Sequence, residues 1–220
     1  FRENAHRFAG TIYVPVAFHV VTASNGTGNV PDEQIQRQID TLNTSYDGTG
    51  FAFYLASVDR TPNDNWFYNT ESFDAQMKAS LAIDPTHILN LYTAFIGGGI
   101  LGYSYLPWSF PESSTLHGVV VLYSSLPGGS SPPYNLGATA THEIGHYLGL
   151  FHTHPSWGAP DTDLVLSLVE DKGAEGCNGD LLTDTPPDPG VTYYKEKVDP
   201  DLCKGPASFK IKGVTFAPDR

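Results

Sequence analysis

His142-Glu143-Ile144-Gly145-His146-Tyr147-Leu148-Gly149-Leu150-Phe151-His152 is the stretch on which the fold turns. Two histidines in an i, i+4 relation on a helix leave the same face one turn apart. Both imidazoles then reach one tetrahedral ion while the helix keeps its backbone bonds. Glu143 lies beside such an ion as a general base, because zinc lowers the pKa of water to about 7 and a neighbouring carboxylate takes up the released proton. Gly149 admits positive φ, which ends the helix and turns the chain so that His152 supplies a third nitrogen. Three histidines leave one coordination position open, as a catalytic zinc site requires and a closed structural site does not. The competing reading is a helix that carries several histidines without binding metal. The added glycine and third histidine weigh against it.

The chain around this stretch has 220 residues, enough for one domain, or two subdomains flanking a cleft, with a sizeable core. A hydrophobic fraction of 40% with 12% aromatic residues marks a globular chain rather than a disordered one. Twelve basic residues against 24 acidic ones give a formal net charge of -12. That charge repels phosphate backbones and anionic membrane surfaces, so nucleic acid and membrane are excluded as partners, whereas cationic peptides are compatible. Much of it serves equally well as a solvated face. The apolar run Ile12 to Val21 is interrupted by Pro15 and His19 and falls short of a membrane span. The chain begins at Phe1, without an initiator methionine or a signal peptide, and reads as a processed or a trimmed form.

Working upstream from the zinc helix, which the pattern places at about 136–148, the chain alternates strands with helices. Thr11 to Thr22 carries Ile12, Val14, Val16, Phe18, Val20 and Val21 and predicts a strand entering the core. His19 within it is read as a buried histidine with its hydrogen bonds made, the alternative being a further metal ligand. Pro31 opens a helix whose stripe is Ile35, Ile39, Leu42 and Tyr46, ending before Gly48. Gly50 to Val58 predicts a strand, Thr61 to Thr70 a loop, and Phe73, Met77 and Leu81 a second helical stripe used for packing. Ile88 to Phe95 and Gly118 to Tyr123 predict buried strands, and Ile100 to Leu106 a short extended piece after Gly97-Gly98-Gly99. The glycine triplet lacks the Lys-Ser/Thr and the helix of a phosphate loop. Together these elements predict a mixed α/β layer with the active-site helix packed on the sheet.

Beyond His152 the composition shifts to Gly, Pro and Asp with little periodicity. The expectation is a single catalytic domain over 1–220, with an N-terminal subdomain of about 1–149 and a small irregular C-terminal subdomain of about 150–220. Cys177 and Cys203, the two cysteines of the chain, lie in this second part. A disulfide between them is expected, against two free thiols, and agrees with an oxidising compartment. Asn25-Gly26-Thr27 and Asn43-Thr44-Ser45 are sequons for N-glycosylation.

These residues carry a resemblance. The histidine-rich motif resembles that of the metzincin clan of zinc endopeptidases, and the surrounding chain is similar to its pappalysin-like branch, which includes secreted fungal and bacterial metalloproteases. The similarity runs through Val14-Pro15-Val16-Ala17-Phe18-His19-Val20, Leu101-Gly102-Tyr103, Gly118-Val119-Val120, Leu126-Pro127-Gly128-Gly129 and Asn135-Leu136-Gly137-Ala138-Thr139-Ala140-Thr141. It continues after the zinc motif with Gly179-Asp180 and Asp184-Thr185-Pro186. The resemblance implies a metzincin-like α/β (α+β) fold, a mixed twisted sheet with packed helices, and a secreted, extracellular zinc endopeptidase acting on protein or peptide substrates. Nothing in the residues fixes the oligomeric state, and a monomer is the expectation. It implies that His142, His146 and His152 hold one catalytic zinc ion, with Glu143 as base and then acid. It also implies that Gly99, Ile100, Leu101, Gly102 and Tyr103 bind substrate as an added strand, and that Asp180, Asp184 and Thr185 form a calcium-binding loop.

The chain departs from the family at one point. Metzincins carry a methionine-containing turn beneath the metal, and the single methionine here is Met77, upstream of the zinc helix. After Asp199-Pro200 the chain runs through Cys203 and Lys204 to Phe216-Ala217-Pro218, with no Asn-Tyr-Met-Asp-Tyr-like segment. The rival to an endopeptidase is therefore a zinc-stabilised, catalytically weak module that binds peptides or a partner through the cleft. Glu143 argues against that rival, because a protein released from catalysis is free to lose its base.

Overall fold

The computed structural model describes residues 10–150 together with two short strands further on, 209–211 and 214–216. The chain divides into two units, Ala5–Leu148 and Gly149–Arg220 with Phe1–Asn4. The first holds a five-stranded sheet in the order β2-β1-β3-β5-β4. Its strands are β1 (Ile12–Thr22), β2 (Phe51–Pro62), β3 (Leu89–Ala94), β4 (Gly102–Ser104) and β5 (Val119–Leu122). β2, β1, β3 and β5 run parallel, and β4 closes one edge antiparallel to β5.

The alternation of side chains along β1 separates two cores. Val16, Phe18 and Val20 point to one face, where Leu89, Leu91, Val119 and Val121 join them. Helix α1 (Asp32–Ser45) covers that face with Ile35, Ile39 and Leu42, and helix α4 (Ala138–Tyr147) with Ala140, Ile144 and Tyr147. Val21, Tyr92, Ala94 and Val120 belong to the opposite face, packed against Trp66 and Phe67 of α2 (Asp64–Tyr68) and Met77 of α3 (Thr70–Leu81). The result is helices on both faces of a mostly parallel sheet, the layer solution for strands that are apolar on both sides. Met77 is wholly buried in the second core, as its stripe predicts.

Two expectations differ from what is observed. The polar segment Thr61 to Thr70 is not a loop, because β2 continues to Pro62 and α2 follows at once. Asn63 caps α2 by accepting from the Trp66 amide at 3.1 Å, and the buried rings of Trp66 and Phe67 anchor it. In the segment expected to be irregular, β6 (Phe209–Ile211) and β7 (Val214–Phe216) pair antiparallel.

His19 is a core residue. Its Nδ1 lies 2.5 Å from Asp59 Oδ2 and its Nε2 2.9 Å from Asn90 Oδ1. Asn90 Nδ2 donates to the carbonyls of Ile83 and Ile88, so Oδ1 is the acceptor and His19 Nε2 carries a proton. Both ring nitrogens are thus engaged by protein partners, and neither faces an open metal position. The sequon asparagines also differ in fate. Asn43, on α1, spends its carboxamide on Ile39 and Phe53, donating to both carbonyls and accepting from the Phe53 amide. Asn25 sits in an exposed turn, where its Oδ1 accepts from the Thr27 amide at 2.9 Å.

Tyr46, just past α1, ties the two helices of the first face together by donating from its hydroxyl to the Thr141 carbonyl at 3.0 Å. Burial pushes its pKa from 10.0 up to about 12. The folded chain thus holds this proton more tightly than the unfolded one. The stabilisation is complete below about pH 10 and is lost as pH rises towards 12. Urea midpoints measured between pH 8 and 11.5 are expected to fall steeply above pH 10. Tyr46→Phe should flatten that fall while costing about 1 kcal/mol at pH 8, the scale of one hydrogen bond.

Candidate metal centre

α4 begins at Ala138 because Gly137, at φ 83°, turns the chain into it. A side chain at 137 would stand 2.8 Å from Pro127 Cγ and 2.9 Å from Gln38 Oε1, so the corner needs glycine on steric grounds as well. Gln38, buried on α1, donates to the Gly137 carbonyl at 3.1 Å and fixes the start of α4 against α1. At the other end the Leu148 amide bonds the Ile144 carbonyl at 2.9 Å, and Gly149 takes φ 100°. This is the left-handed glycine that ends a helix, as read from the sequence.

Between these ends His142 and His146 converge. Their Nε2 atoms are 3.0 Å apart and their rings meet edge to face with centroids 4.6 Å apart. That separation is a hydrogen-bond distance, which needs one nitrogen protonated and the other bare. It is also close to the spacing of about 3.3 Å that two nitrogens take on a tetrahedral ion bound at about 2.0–2.1 Å. Two imidazole nitrogens at this spacing on one helix face therefore fit the separation that a zinc ion requires. His146 is 9% and Glu143 7% exposed, so burial limits the water around both side chains. No group of three or more metal-ligating side chains occurs among the described residues. His152, the third nitrogen expected from the sequence, lies outside them, as do Asp180, Asp184, Thr185, Cys177 and Cys203.

β4 passes directly over Glu143. Ser104 Oγ donates to the Glu143 carbonyl at 2.7 Å, and the two helix-facing positions of the strand are Gly102 and Ser104. A Cβ at 102 would lie 2.8 Å from Glu143 Cγ and 3.0 Å from Thr139 Cγ2 and the Val120 carbonyl oxygen. The expected substrate strand is shorter than the sequence implied. Gly102 and Tyr103 belong to β4, Leu101 extends the pairing by accepting from the Leu122 amide, Ile100 is half-exposed, and Gly99 sits in a turn at φ 80°. Among the described residues β4 pairs only with β5, which leaves its outer edge available for another strand.

Sequence reasoning missed the groups that hold β4 from behind. Tyr103 Oη donates to Asp74 Oδ1 at 2.8 Å, and Lys78 Nζ pairs with the same oxygen at 3.1 Å. Both partners lie on α3, whose sequence reads as a packing stripe. An Asp-Lys pair at i, i+4 looks like an ordinary surface ion pair until tertiary packing buries it.

With that geometry established, comparison with known proteins is informative. An extracellular metalloprotease of Podospora anserina is 42% identical over 150 residues, 66% of this chain and 51% of the relative. One of Arthroderma benhamiae is 37% identical over 171 residues, covering 76% and 62% of the two chains. The chain is a homologue of extracellular metalloproteases. It spans between half and about three fifths of the length of these curated relatives. The fold is similar to that of mirolysin. Mature Tannerella forsythia mirolysin, solved in complex with a cleaved peptide, superposes with a TM-score of 0.64 at 26% identity over 84% of this chain and 74% of that one. A promirolysin variant of the same organism gives 0.62 at 26% identity over 81% and 64%. No protein-family model matches the sequence. No helix among the described residues is long and apolar enough to cross a membrane.

The crowding at Gly102 has a measurable consequence. In Gly102→Ala the new methyl displaces the Glu143 side chain, since the Val120 backbone cannot yield as easily. The variant should lose about 1–3 kcal/mol of stability from overpacking. Urea unfolding of the two proteins side by side would check it.

Proposed function

We propose that this chain is the catalytic part of a secreted zinc endopeptidase of the metzincin clan, pappalysin-like branch. The observation that carries the reading is the convergence of His142 and His146 Nε2 at 3.0 Å on the helix that also carries buried Glu143, beside a strand edge that is unpaired among the described residues. The names of the curated relatives support it. In this reading His142, His146 and His152 hold zinc, which supplies Lewis acidity toward water and a carbonyl oxygen. Glu143 takes the proton of the attacking water on its carboxylate and returns it to the nitrogen of the leaving amine. The low exposure of Glu143 keeps competing water away from that proton.

An extended peptide lies along the stretch Gly99, Ile100, Leu101, Gly102 and Tyr103, held by main-chain bonds to the outer edge of β4. Main-chain recognition suits a protease acting on many sequences. Asp180, Asp184 and Thr185 are proposed as a calcium loop, and Cys177 and Cys203 as a disulfide that ties the C-terminal subdomain of about 150–220. The catalytic domain is proposed to act as a monomer without nucleic-acid or membrane partners.

Zinc analysis and cleavage of a quenched fluorescent protein, with and without a chelator, test the proposal together. About one zinc per chain and chelator-sensitive cleavage are expected. Glu143→Ala should keep the zinc and lose at least about a hundredfold in kcat, the contribution of a general base. Zinc binding without cleavage in the unsubstituted chain would move the reading to a zinc-stabilised peptide-binding module.

Glycosylation is proposed at Asn25 and not at Asn43 when the chain is secreted by a glycosylating host, because Asn25 is exposed while the Asn43 carboxamide is engaged. Intact-mass measurement before and after N-glycosidase treatment should show one glycan, abolished by Asn25→Gln. Asn43→Asp should instead destabilise the fold by about 1–3 kcal/mol.

A further inference from the structure

We propose that the buried Asp74-Lys78 pair of α3 is a positioning device for β4, holding Tyr103, and with it the strand edge, in the alignment that long peptide substrates need. The inference rests on the endopeptidase reading of the site. Lys78 has no exposed side-chain area and Asp74 only 7%. Replacing such a pair by apolar residues of similar volume is often neutral or stabilising, so stability alone gives it no clear reason to exist. It does provide directed contacts. Asp74 Oδ1 accepts from both Tyr103 Oη and Lys78 Nζ, and Nζ also donates to the Leu116 carbonyl at 3.1 Å, in the segment that leads into β5. The ammonium stands 5.3 Å from the centroid of the Tyr103 ring and 4.9 Å from that of Tyr105.

These contacts act on a weak element. β4 has three residues and pairs with β5 through three positions, too short a ladder to hold an edge strand firmly by backbone bonds alone. Its two faces are pinned separately. Ser104 is tied to the Glu143 carbonyl on the α4 side, and Tyr103 to Asp74 on the α3 side. Loss of the second tie leaves the strand free to roll about the first, which tilts the amide and carbonyl groups that a peptide would pair with. Burial and the Asp74 charge both raise the Tyr103 pKa well above 10.0, so the phenol remains a donor at every working pH. Asp74 and Lys78 touch no substrate in this arrangement; they act through Tyr103.

The test compares two fluorogenic peptides that share one scissile sequence, a tetrapeptide confined to the residues flanking the cut and a decapeptide long enough to run along β4. Each is assayed on the unsubstituted chain, on Tyr103→Phe, and on the double variant Asp74→Leu/Lys78→Met, which removes both charges so that neither is left buried and alone. Zinc per chain is measured on every sample. The expected result is a KM for the decapeptide raised by about fivefold, the scale of one lost hydrogen bond. The shift should be carried in KM more than in kcat, and the tetrapeptide should shift by a clearly smaller factor. Equal factors for the two peptides, or no change in Tyr103→Phe, would overturn the proposal. If the unsubstituted chain cleaves neither peptide, the endopeptidase reading fails by itself. Decapeptide affinity for zinc-loaded chains with and without Tyr103→Phe then decides the positioning claim, weakened binding supporting it and equal binding ending it.

Discussion

The close approach of β4 to α4 is the constraint on which the rest of the site depends. Gly102 brings a backbone without a side chain against Glu143, and Ser104 bonds the carbonyl of the same residue. A strand edge and a carboxylate on a histidine helix are thereby fixed in one rigid relation. Neither the helix nor the strand could set that distance alone, since each is short and each is held mainly by its neighbours. The packed sheet supplies the support. Val119 and Val121 of β5 belong to the same core as Ala140 and Ile144 of α4, so the strand that pairs with β4 also seats the helix.

The two faces of the sheet divide the work. On one face α1 and α4 form an apolar layer joined by Tyr46 and Gln38, which set where α4 starts and how it lies. On the other face α3 carries a buried ion pair where an apolar stripe would have packed more simply. Polar groups in such a place have a high cost unless they are paired; here Asp74 Oδ1 and Lys78 Nζ are paired across α3, β4 and the segment before β5, while the buried Asp74 Oδ2 has no hydrogen-bond partner among the described residues. The arrangement is costly as a source of stability and useful as a source of register, and it lies directly behind the strand edge.

Much of this was legible in the residues. The i, i+4 histidines, the intervening Glu143 and the helix-ending Gly149 required only the period of a helix and the special freedom of glycine. The structure has the helix, the converging nitrogens and the positive φ where those rules put them. The apolar runs of β1, β3 and β5 were equally plain, because strands covered on both faces are hydrophobic throughout. α2 was not legible. Asn63 and Asp64 look like loop residues until the cap is made and Trp66 and Phe67 find a core to fill.

What the sequence by itself determined, then, is whatever depends on local period and on single-residue conformational preference: the strands, the amphipathic helices, the C-terminal end of α4 and the facing of His142 toward His146. What only the tertiary structure decided is which polar residues are buried and what they face. His19 is saturated by Asp59 and Asn90 and is not a ligand, Asn43 is consumed by Phe53 while Asn25 is exposed, and Asp74 and Lys78 leave the surface to hold Tyr103. The physical reason is the same in each case. Helix and strand periods act within a few residues, whereas the partner of a buried polar group comes from a distant part of the chain and is chosen by packing.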